Sequence, residues 1–225
     1  MKIPKALIFD IDDTLVDTTP SYRGSIIRTA AHFGGTVTME DIARAKANGD
    51  ANNDWVLTQD LLSQQGIRVS IEEVTEVFEA LYQGEGDTPG LKLLESLLID
   101  IKMLGAWAKR FKMGIVTGRP RKDALDFLER YEIQHLFGAV ITMDDGPLKP
   151  SPAPIRMALA ALNETDAWMI GDTPDDIRSA VAAGIVALGV IAPADDPNDA
   201  VNAMQRAGAA RVLKTVCELE GLLLG

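Results

Sequence analysis

The sequence predicts an α/β fold in which a parallel β-sheet lies between helical layers and a small α-helical domain is inserted near the N-terminus. From residue 112 onward, short apolar runs alternate with helix-patterned stretches. This alternation is typical of a parallel sheet wrapped by helices. The first apolar run, in contrast, is followed by about 70 residues with helical periodicity and no convincing strand. That interruption predicts the inserted domain.

Five apolar runs are the predicted strands of a Rossmann-like three-layer core: residues 6–9, 113–116, 139–141, 168–170 and 185–188. Helix starts are indicated by Pro120, Pro152 and Pro174, because proline is well tolerated in the first turn of a helix. Gly184 indicates a helix end.

The domain boundaries are placed where the alternation of predicted strands and helices stops and where it resumes. Residues 1–17 and 87–225 are predicted to form the core, and residues 18–86 the inserted helical domain. The segment 84–90 is rich in glycine and proline. That composition is typical of a hinge between domains.

The composition excludes several classes of function. A net charge of -11 argues against broad binding to nucleic acid or to an anionic membrane surface. The chain has no apolar run near the length of a membrane span and no signal-peptide pattern at its start, so we expect a cytoplasmic protein, monomeric or a small homo-oligomer. With one cysteine, Cys217, and two histidines, a His/Cys zinc site is not expected. Oxygen ligands and Mg²⁺ are favoured instead.

Polar clusters follow four of the predicted strands. They are residues 10–14 (DIDDT), residues 117–119 (TGR), Lys149 beyond the third run, and residues 171–176 (GDTPDD). Ligands of open parallel sheets bind outside the carboxyl ends of the strands. We therefore expect all four clusters to meet at one site.

Three acids in these clusters suit the hydrolysis of a phosphate monoester. Asp10 can attack phosphorus as a nucleophile, and Asp12, one strand period further on, can transfer protons on the same side. Asp172 together with Asp10 can bind Mg²⁺. Capping of the next helix remains an alternative role for Asp12 or Asp13, and Asp13 is given no catalytic role. Stabilisation of a helix dipole remains an alternative for Asp172 and Asp176.

The remaining clusters supply groups for phosphate binding. Thr117 offers a hydroxyl, Gly118 an unobstructed backbone N–H, and Lys149 a positive charge. Arg119 is interpreted either as a further phosphate ligand or as the start of the next helix.

The motifs DIDDTL, VTGR, the lysine of LKPSP and GDTPDDI resemble, in order and spacing, the four motifs of the haloacid dehalogenase superfamily of phosphotransferases. The resemblance implies that Asp10 is the nucleophile and Asp12 the general acid/base, with the Asp12 backbone carbonyl also on the metal. It further implies that Asp172 binds Mg²⁺ directly and that Asp176 belongs to the metal site without touching the ion.

The same resemblance implies that Thr117 and Lys149 bind phosphate. An insert between the first and second motifs resembles the helical cap of the subclass that includes phosphoglycolate phosphatases and β-phosphoglucomutases. Dehalogenase chemistry is disfavoured, since dehalogenases lack the second acid found here as Asp12.

Within the insert, residues 49–55 interrupt the helical pattern with polar side chains that include Asn52 and Asn53. We interpret this segment as a loop that reads the substrate, and related caps present such a loop after a Lys/Gly element, here Lys46 and Gly49. The alternative is a helix N-cap formed by Asn52 or Asn53.

Together these patterns predict a Mg²⁺-dependent phosphatase acting on a small phosphorylated metabolite. A phosphomutase and a degenerate phosphometabolite-binding protein are the alternatives, and the second is disfavoured because Asp10 and Asp12 are both present. Phosphorylated sugars, phosphoglycolate and amino-alcohol phosphates such as histidinol phosphate are all compatible substrates.

Overall fold

A computed structural model describes residues 1–49 and 51–224 of the protein. Asp50, in the segment expected to read the substrate, lies outside the described residues. The strands are β1 (Ala6–Phe9), β2 (Val16–Asp17), β3 (Gly84–Glu85), β4 (Thr88–Pro89), β5 (Ser96–Leu97), β6 (Lys112–Val116), β7 (Ala139–Ile141), β8 (Ala167–Gly171), β9 (Val186–Val190) and β10 (Arg211–Leu213).

The helices are α1 (Gly24–His32), α2 (Met39–Asn48), α3 (Asp54–Gln64), α4 (Ile71–Gln83), α5 (Ile101–Ala108), α6 (Arg121–Arg130), α7 (Ala153–Leu162), α8 (Pro174–Ala183), α9 (Pro197–Ala207) and α10 (Leu219–Leu223). A short π-helix, Thr19–Arg23, leads into α1. Among the described residues, none of these helices combines the length and the apolarity needed to cross a bilayer.

Within the described residues, six strands form the main sheet in the order β10-β9-β8-β1-β6-β7. All its neighbours run parallel. The central strand β1 is buried throughout, and its side chains alternate between two cores. Leu7 and Phe9 pack in a core with α5, α6 and α10, whereas Ala6 and Ile8 pack in a core with α7, α8 and α9. The three-layer α/β prediction is confirmed.

The predicted strands match β1, β6, β7, β8 and β9; the bounds of β1 and β7 are those predicted, and the bounds of the other three differ by one or two residues at an end. The edge strand β10 was not predicted, because three residues that begin with an arginine carry too little apolar pattern. The two-residue ladders β2–β5 and β3–β4 were also missed, since they are shorter than any periodic signal.

The helices α1 to α4 follow β2 and pack on one another around a core of their own. Its fully buried members include Ile26, Leu62, Val74 and Phe78. Side chains cap three of the helices at their first turns: Thr38 caps α2, Asn53 caps α3 and Ser70 caps α4. We refer to residues 18–83 as the helical segment.

The chain leaves the helical segment through the β3–β4 hairpin, where the sequence predicts a hinge. Gly84 has a φ of 89°, which favours glycine. A Cβ on Gly90 would lie 2.3 Å from the Tyr82 carbonyl oxygen, so this backbone approach also requires glycine. The expected domain boundary between residues 86 and 87 falls in the turn of this hairpin.

Candidate active site

Asp10 lies one residue beyond β1, at the point where the strand order reverses. Its N–H donates to the Ile170 carbonyl of β8 at 2.9 Å, and the N–H of Thr117 donates to the Ile141 carbonyl of β7 at 3.0 Å. Both residues are therefore fixed at the carboxyl edge of the sheet by backbone bonds. The first two predicted clusters do meet there.

Lys149 joins this edge from the loop after β7. Its Nζ lies 3.0 Å from Asp10 Oδ1 and 2.5 Å from Asp176 Oδ1, and it donates to the Val116 carbonyl at 3.2 Å. Burial opposes the charge on Lys149, but Asp10 and Asp176 raise its pKa. The ammonium therefore stays charged between the two carboxylates.

Three buried carboxylates, those of Asp10, Asp172 and Asp176, each place an oxygen within 4.8 Å of the others. Asp172 Oδ1 accepts from the Thr14 hydroxyl at 3.3 Å. Asp176 is held more tightly, since its Oδ2 accepts from the Thr173 N–H and hydroxyl while its Oδ1 contacts Lys149.

Gly171, the last residue of β8, makes room for this arrangement. A Cβ on Gly171 would lie 2.3 Å from Asp176 Cγ. Glycine is thus needed before Asp172 in GDTPDD for a steric reason: without a Cβ at position 171, the first turn of α8 can pack against the end of β8.

The electrostatics of the carboxylates suit a cation. Burial raises the pKa of Asp10 to about 7, against the lowering effect of Lys149. Burial and the neighbouring Asp176 raise the pKa of Asp172 well above its usual value. Carboxylate oxygens are the ligands that Mg²⁺ prefers. The donor set fits Mg²⁺, because a bound divalent cation would offset the mutual repulsion of these acids.

Asp12 lies in the same pocket but contacts a different cation. Arg119 Nε donates to Asp12 Oδ1 at 2.7 Å, and Arg119 Nη2 lies 2.6 Å from the same oxygen. Arg119 comes two residues before α6 begins, so it does not start that helix. The sequence did not indicate its pairing with Asp12.

Asp13, to which no catalytic role was given, anchors the start of the helical segment. It has a φ of 51°, and both its oxygens are bonded, Oδ1 by Thr18 and Oδ2 by Arg23. Arg23 also contacts Asp195 at 2.8 Å. Burial alone would raise the pKa of Asp13, but Arg23 brings it below its usual value.

A cavity of about 40 Å³ lies between the sheet edge and the helical segment. The sheet edge contributes acids, glycine and Arg119, and the helical segment contributes a wall of mixed charge with two aromatic rings. The wall consists of Tyr22, Lys46, Ala51, Asn52, Asn53, Asp54 and Trp55.

Asn52 connects this wall to the sheet edge. Its Nδ2 donates to the Lys149 carbonyl at 3.0 Å and to Asp175 Oδ2 at 2.7 Å. A Cβ on Gly118 would lie 2.6 Å from the Asn52 carbonyl oxygen, so glycine is needed at position 118 for the loop to approach. The predicted phosphate contact of the Gly118 N–H remains a separate expectation.

Asn53 is the N-cap of α3, as one of the two sequence interpretations holds. Its Oδ1 accepts from the N–H groups of Trp55 and Val56, both at 3.1 Å. Its side chain also borders the cavity. Substrate contact by Asn52 or Asn53 therefore stays a prediction, with the capping role of Asn53 established.

Lys46 and Asp54 form an ion pair on the wall, with Nζ 3.4 Å from Oδ1 and both side chains largely buried. Burial raises the pKa of Asp54, although Lys46 opposes this. The sequence suggested Lys46 through the family's caps and included Asp54 in the polar segment 49–55, but it did not indicate that these two residues pair. Asp54 lies directly after an N-cap asparagine, a position where an acid commonly stabilises the helix dipole.

Comparisons with known proteins agree with this geometry. Residues 7–190 match the family described as haloacid dehalogenase-like hydrolase. A phosphoglycolate phosphatase from Cereibacter sphaeroides (strain ATCC 17029) is 30% identical over 189 residues, which cover 80% of this chain and 81% of that protein. An imidazoleglycerol-phosphate dehydratase from Phytophthora nicotianae is 47% identical over 197 residues, or 84% of this chain. The match spans 44% of that relative's length.

Solved structures show the same fold. A protein described as a predicted phosphoglycolate phosphatase from Haemophilus somnus aligns with a TM-score of 0.77 at 18% identity, covering 99% of both chains. A haloacid dehalogenase-like protein of unknown function from Agrobacterium tumefaciens aligns with a TM-score of 0.77 at 16% identity, covering 98% of this chain and 97% of that one. The match over residues 7–190 and the full-length structural likeness lead to one conclusion: the chain belongs to the haloacid dehalogenase-like hydrolase family.

Proposed function

We propose that the protein is a Mg²⁺-dependent phosphatase that hydrolyses a small phosphate monoester through an aspartyl-phosphate on Asp10. The observation that carries the proposal is the position of Asp10: a buried carboxylate at the end of β1, 3.0 Å from Lys149 and facing the same cavity as Asp12 and Asp172. The family membership of the chain supports the same chemistry.

In the first step, an Asp10 oxygen attacks phosphorus and the bond from phosphorus to the alcohol oxygen breaks. Asp12 gives its proton to the departing oxygen. In the second step, Asp12 takes a proton from water, the water oxygen attacks phosphorus, and the bond from Asp10 to phosphorus breaks. Inorganic phosphate leaves and both aspartates return to their starting state.

Three groups at the sheet edge are proposed to hold the phosphoryl oxygens during these steps. They are the Thr117 hydroxyl, the Gly118 N–H and the Lys149 ammonium, and a preorganised set of donors of this kind stabilises the charge of the transition state. Lys149 suits the task because its neighbours keep it charged at neutral pH.

Asp10, Asp172 and the Asp12 backbone carbonyl are the proposed ligands of Mg²⁺. Asp176 would support the site without direct contact, because its two oxygens are already bonded to Thr173 and Lys149. When bound, Mg²⁺ supplies positive charge that screens the repulsion between the phosphate and the nucleophile.

The helical segment is proposed to act as a cap over the core of residues 1–17 and 87–225, with residues 18–86 moving as the cap. A cavity of 40 Å³ holds about three water molecules and is too small for a phosphate ester. Substrate entry therefore requires the wall to move away from the sheet edge. Closure would then exclude water from the reacting groups.

The names of the two relatives suggest a substrate panel. One is a phosphoglycolate phosphatase, and the other acts on imidazoleglycerol phosphate, itself a phosphate monoester. The proposed substrate-facing wall contains Asn52 and Asn53, a cation on Lys46 and an anion on Asp54. It is suited to a leaving group that carries hydrogen-bonding or charged atoms.

The test is a phosphate-release assay on the purified protein with and without Mg²⁺. The panel should include phosphoglycolate, sugar phosphates, histidinol phosphate and imidazoleglycerol phosphate. We expect Mg²⁺-dependent release from at least one compound, and a loss of about 10³-fold or more in Asp10→Asn. Absence of release across the panel, or full turnover by Asp10→Asn, contradicts the proposal. Interconversion of sugar-phosphate isomers without net release would indicate a phosphomutase instead.

A further inference from the structure

We propose that Arg119 is the positioning residue for Asp12, and that Glu95 holds Arg119 at the place where the helical segment joins the core. The inference rests on the proposed function, because proton transfer by Asp12 belongs to that mechanism. It concerns contacts that neither the motifs nor the strand ends indicate.

The contact between Arg119 and Asp12 leaves one carboxylate oxygen for chemistry. Both Nε and Nη2 of Arg119 reach the same oxygen, Oδ1, at 2.7 and 2.6 Å. The Asp12 side chain is 20% exposed, against 8% for Asp10, and it borders the cavity. The guanidinium therefore fixes the carboxylate by one oxygen while the side chain still faces the substrate space.

The guanidinium is fully engaged in protein contacts. Its Nη2 lies 3.0 Å from Glu95 Oε1, and its Nη1 donates to the Tyr82 hydroxyl at 3.2 Å. The rings of Tyr22 and Phe127 lie 5.0 and 5.2 Å from its central carbon. With every nitrogen donating to a neighbour, Arg119 is suited to hold Asp12 rather than to bind phosphate.

Glu95 accepts hydrogen bonds from residues at both places where the chain crosses between the helical segment and the core. It accepts from the hydroxyl of Ser21 at 3.0 Å, on the way in, and from that of Tyr82 at 3.2 Å, near the end of α4. The Glu95 side chain is completely buried. The position of the helical segment is thus linked to Asp12 through two residues, Glu95 and Arg119.

A comparison of two leaving groups isolates this role from a general loss of structure. An alkoxide needs a proton to depart, whereas p-nitrophenolate is stable without one. Misplacing Asp12 should therefore slow phosphoryl transfer from an alkyl ester but not from p-nitrophenyl phosphate. The ratio of the two kcat/KM values is independent of how much of a variant is folded, since both substrates report on the same molecules.

The experiment measures kcat/KM with Mg²⁺ for p-nitrophenyl phosphate and for the best alkyl phosphate of the panel. Arg119→Ala should lower the alkyl value about 10²-fold while the aryl value changes less than about 3-fold. Arg119→Lys should recover part of the alkyl activity. Arg121→Ala is the matched control, because Arg121 lies two positions away, is 45% exposed and pairs with Asp145 instead. It should leave the ratio unchanged.

A double-mutant cycle adds a second measurement. In an Asp12→Asn background, Arg119→Ala should not change the ratio further, because the two residues act as one unit. If Arg119→Ala does not fold, Arg119→Lys and Glu95→Gln keep most of the side-chain volume and should shift the ratio in the same direction.

Equal losses on both substrates in a folded Arg119 variant overturn the inference, and so does an additive effect in the cycle. A rise in KM for both substrates at constant ratio would assign Arg119 to phosphate binding and overturn it too. If the wild-type protein releases phosphate from neither substrate, the proposed function itself fails and this inference fails with it.

Discussion

The two sides of the cavity are built in different ways. One side includes Asp10 and Asp172. These two acids belong to the carboxylate cluster of Asp10, Asp172 and Asp176 with Lys149, which is set by the ends of parallel strands and the turns that follow them. The other side is the wall contributed by the helical segment, whose link to the sheet edge includes the Asn52 bridge. The cluster is buried and held by contacts within the core, whereas the position of the wall depends on how the helical segment docks on the core.

This difference separates the general chemistry of the site from its selectivity. A buried cluster of three acids and one lysine is stable only when positive charge compensates the acids. The same positive charge would bind the phosphate group of any substrate. The wall contains the residues that are proposed to contact the leaving group. Changes in the cluster should therefore affect both stability and all substrates, and changes in the wall should affect them unequally.

The largest expected effect comes from removing the cation of the cluster. Lys149→Met leaves Asp10 and Asp176 buried without their partner, which should cost about 3–5 kcal/mol of unfolding free energy in EDTA. Activity should fall about 10³-fold or more, because a phosphate ligand is lost as well. Urea unfolding and phosphate release measure the two losses.

Lys46→Met is the matched change on the wall, where the ion pair with Asp54 is longer, at 3.4 Å, and the two side chains are 12% and 13% exposed. It should cost less than Lys149→Met, about 2 kcal/mol, because one carboxylate rather than two loses its partner. Equal destabilisation by the two variants would break the distinction between cluster and wall.

A smaller effect is expected from pH. The pKa of Asp10 rises from 3.8 in the unfolded chain to about 7 in the fold, chiefly through burial. At this site the folded state then binds more protons than the unfolded state between these values, so the contribution of Asp10 to metal-free stability should fall as pH rises from about 4 to about 7. The loss should be on the order of a few kcal/mol.

Urea unfolding in EDTA across this pH range measures the slope, and Asp10→Asn should flatten it. Saturating Mg²⁺ should restore stability at the upper end, since binding to the folded state alone adds stability by mass action. If the stability of the wild type in EDTA rose with pH relative to that of Asp10→Asn, the charged form of Asp10 would be favoured by the fold, contrary to the burial argument.

The sequence predicted the cluster better than the wall for a physical reason. Asp10, Thr117 and Asp172 each follow a strand, and parallel strands bring their carboxyl ends to one edge whatever the loops do. Apolar runs located β1 and β6 to β9 because strands that lie between two helical layers are buried on both faces. The edge strand β10 was missed because so short a run has no readable period.

The contacts that were not predicted join distant parts of the chain. Asn52 bonds to residues 97 and 123 positions away, and Arg119 contacts Asp12 across 107 positions. No local pattern encodes such pairings. The Asn52 contacts arise when the helical segment docks on the core, and the Arg119–Asp12 contact arises when the ends of β1 and β6 meet at the sheet edge. No motif in the sequence singles out Glu95, and its burial depends on the meeting of the two places where the chain crosses between the helical segment and the core.

The smallest effect separates the two roles considered for Asn53. Its Oδ1 caps α3 through the N–H groups of Trp55 and Val56. Asn53→Ala should therefore lower the unfolding free energy by about 1 kcal/mol, or the melting temperature by about 2–4 °C. Asn53→Ser keeps a hydroxyl that can accept the same bonds, so its stability should stay within a few tenths of a kcal/mol.

The serine variant then tests recognition by itself, because its cap is intact while the amide is gone. If Asn53 contacts the substrate, kcat/KM for the best substrate should fall in Asn53→Ser without loss of stability, and the order of preference across the panel should change. Unchanged kinetics in Asn53→Ser would show that Asn53 acts only as a helix cap. Asn52 would then remain the asparagine of the wall that is proposed to contact the substrate. A wild-type melting temperature in Asn53→Ala would contradict the capping role, which follows directly from the two 3.1 Å contacts.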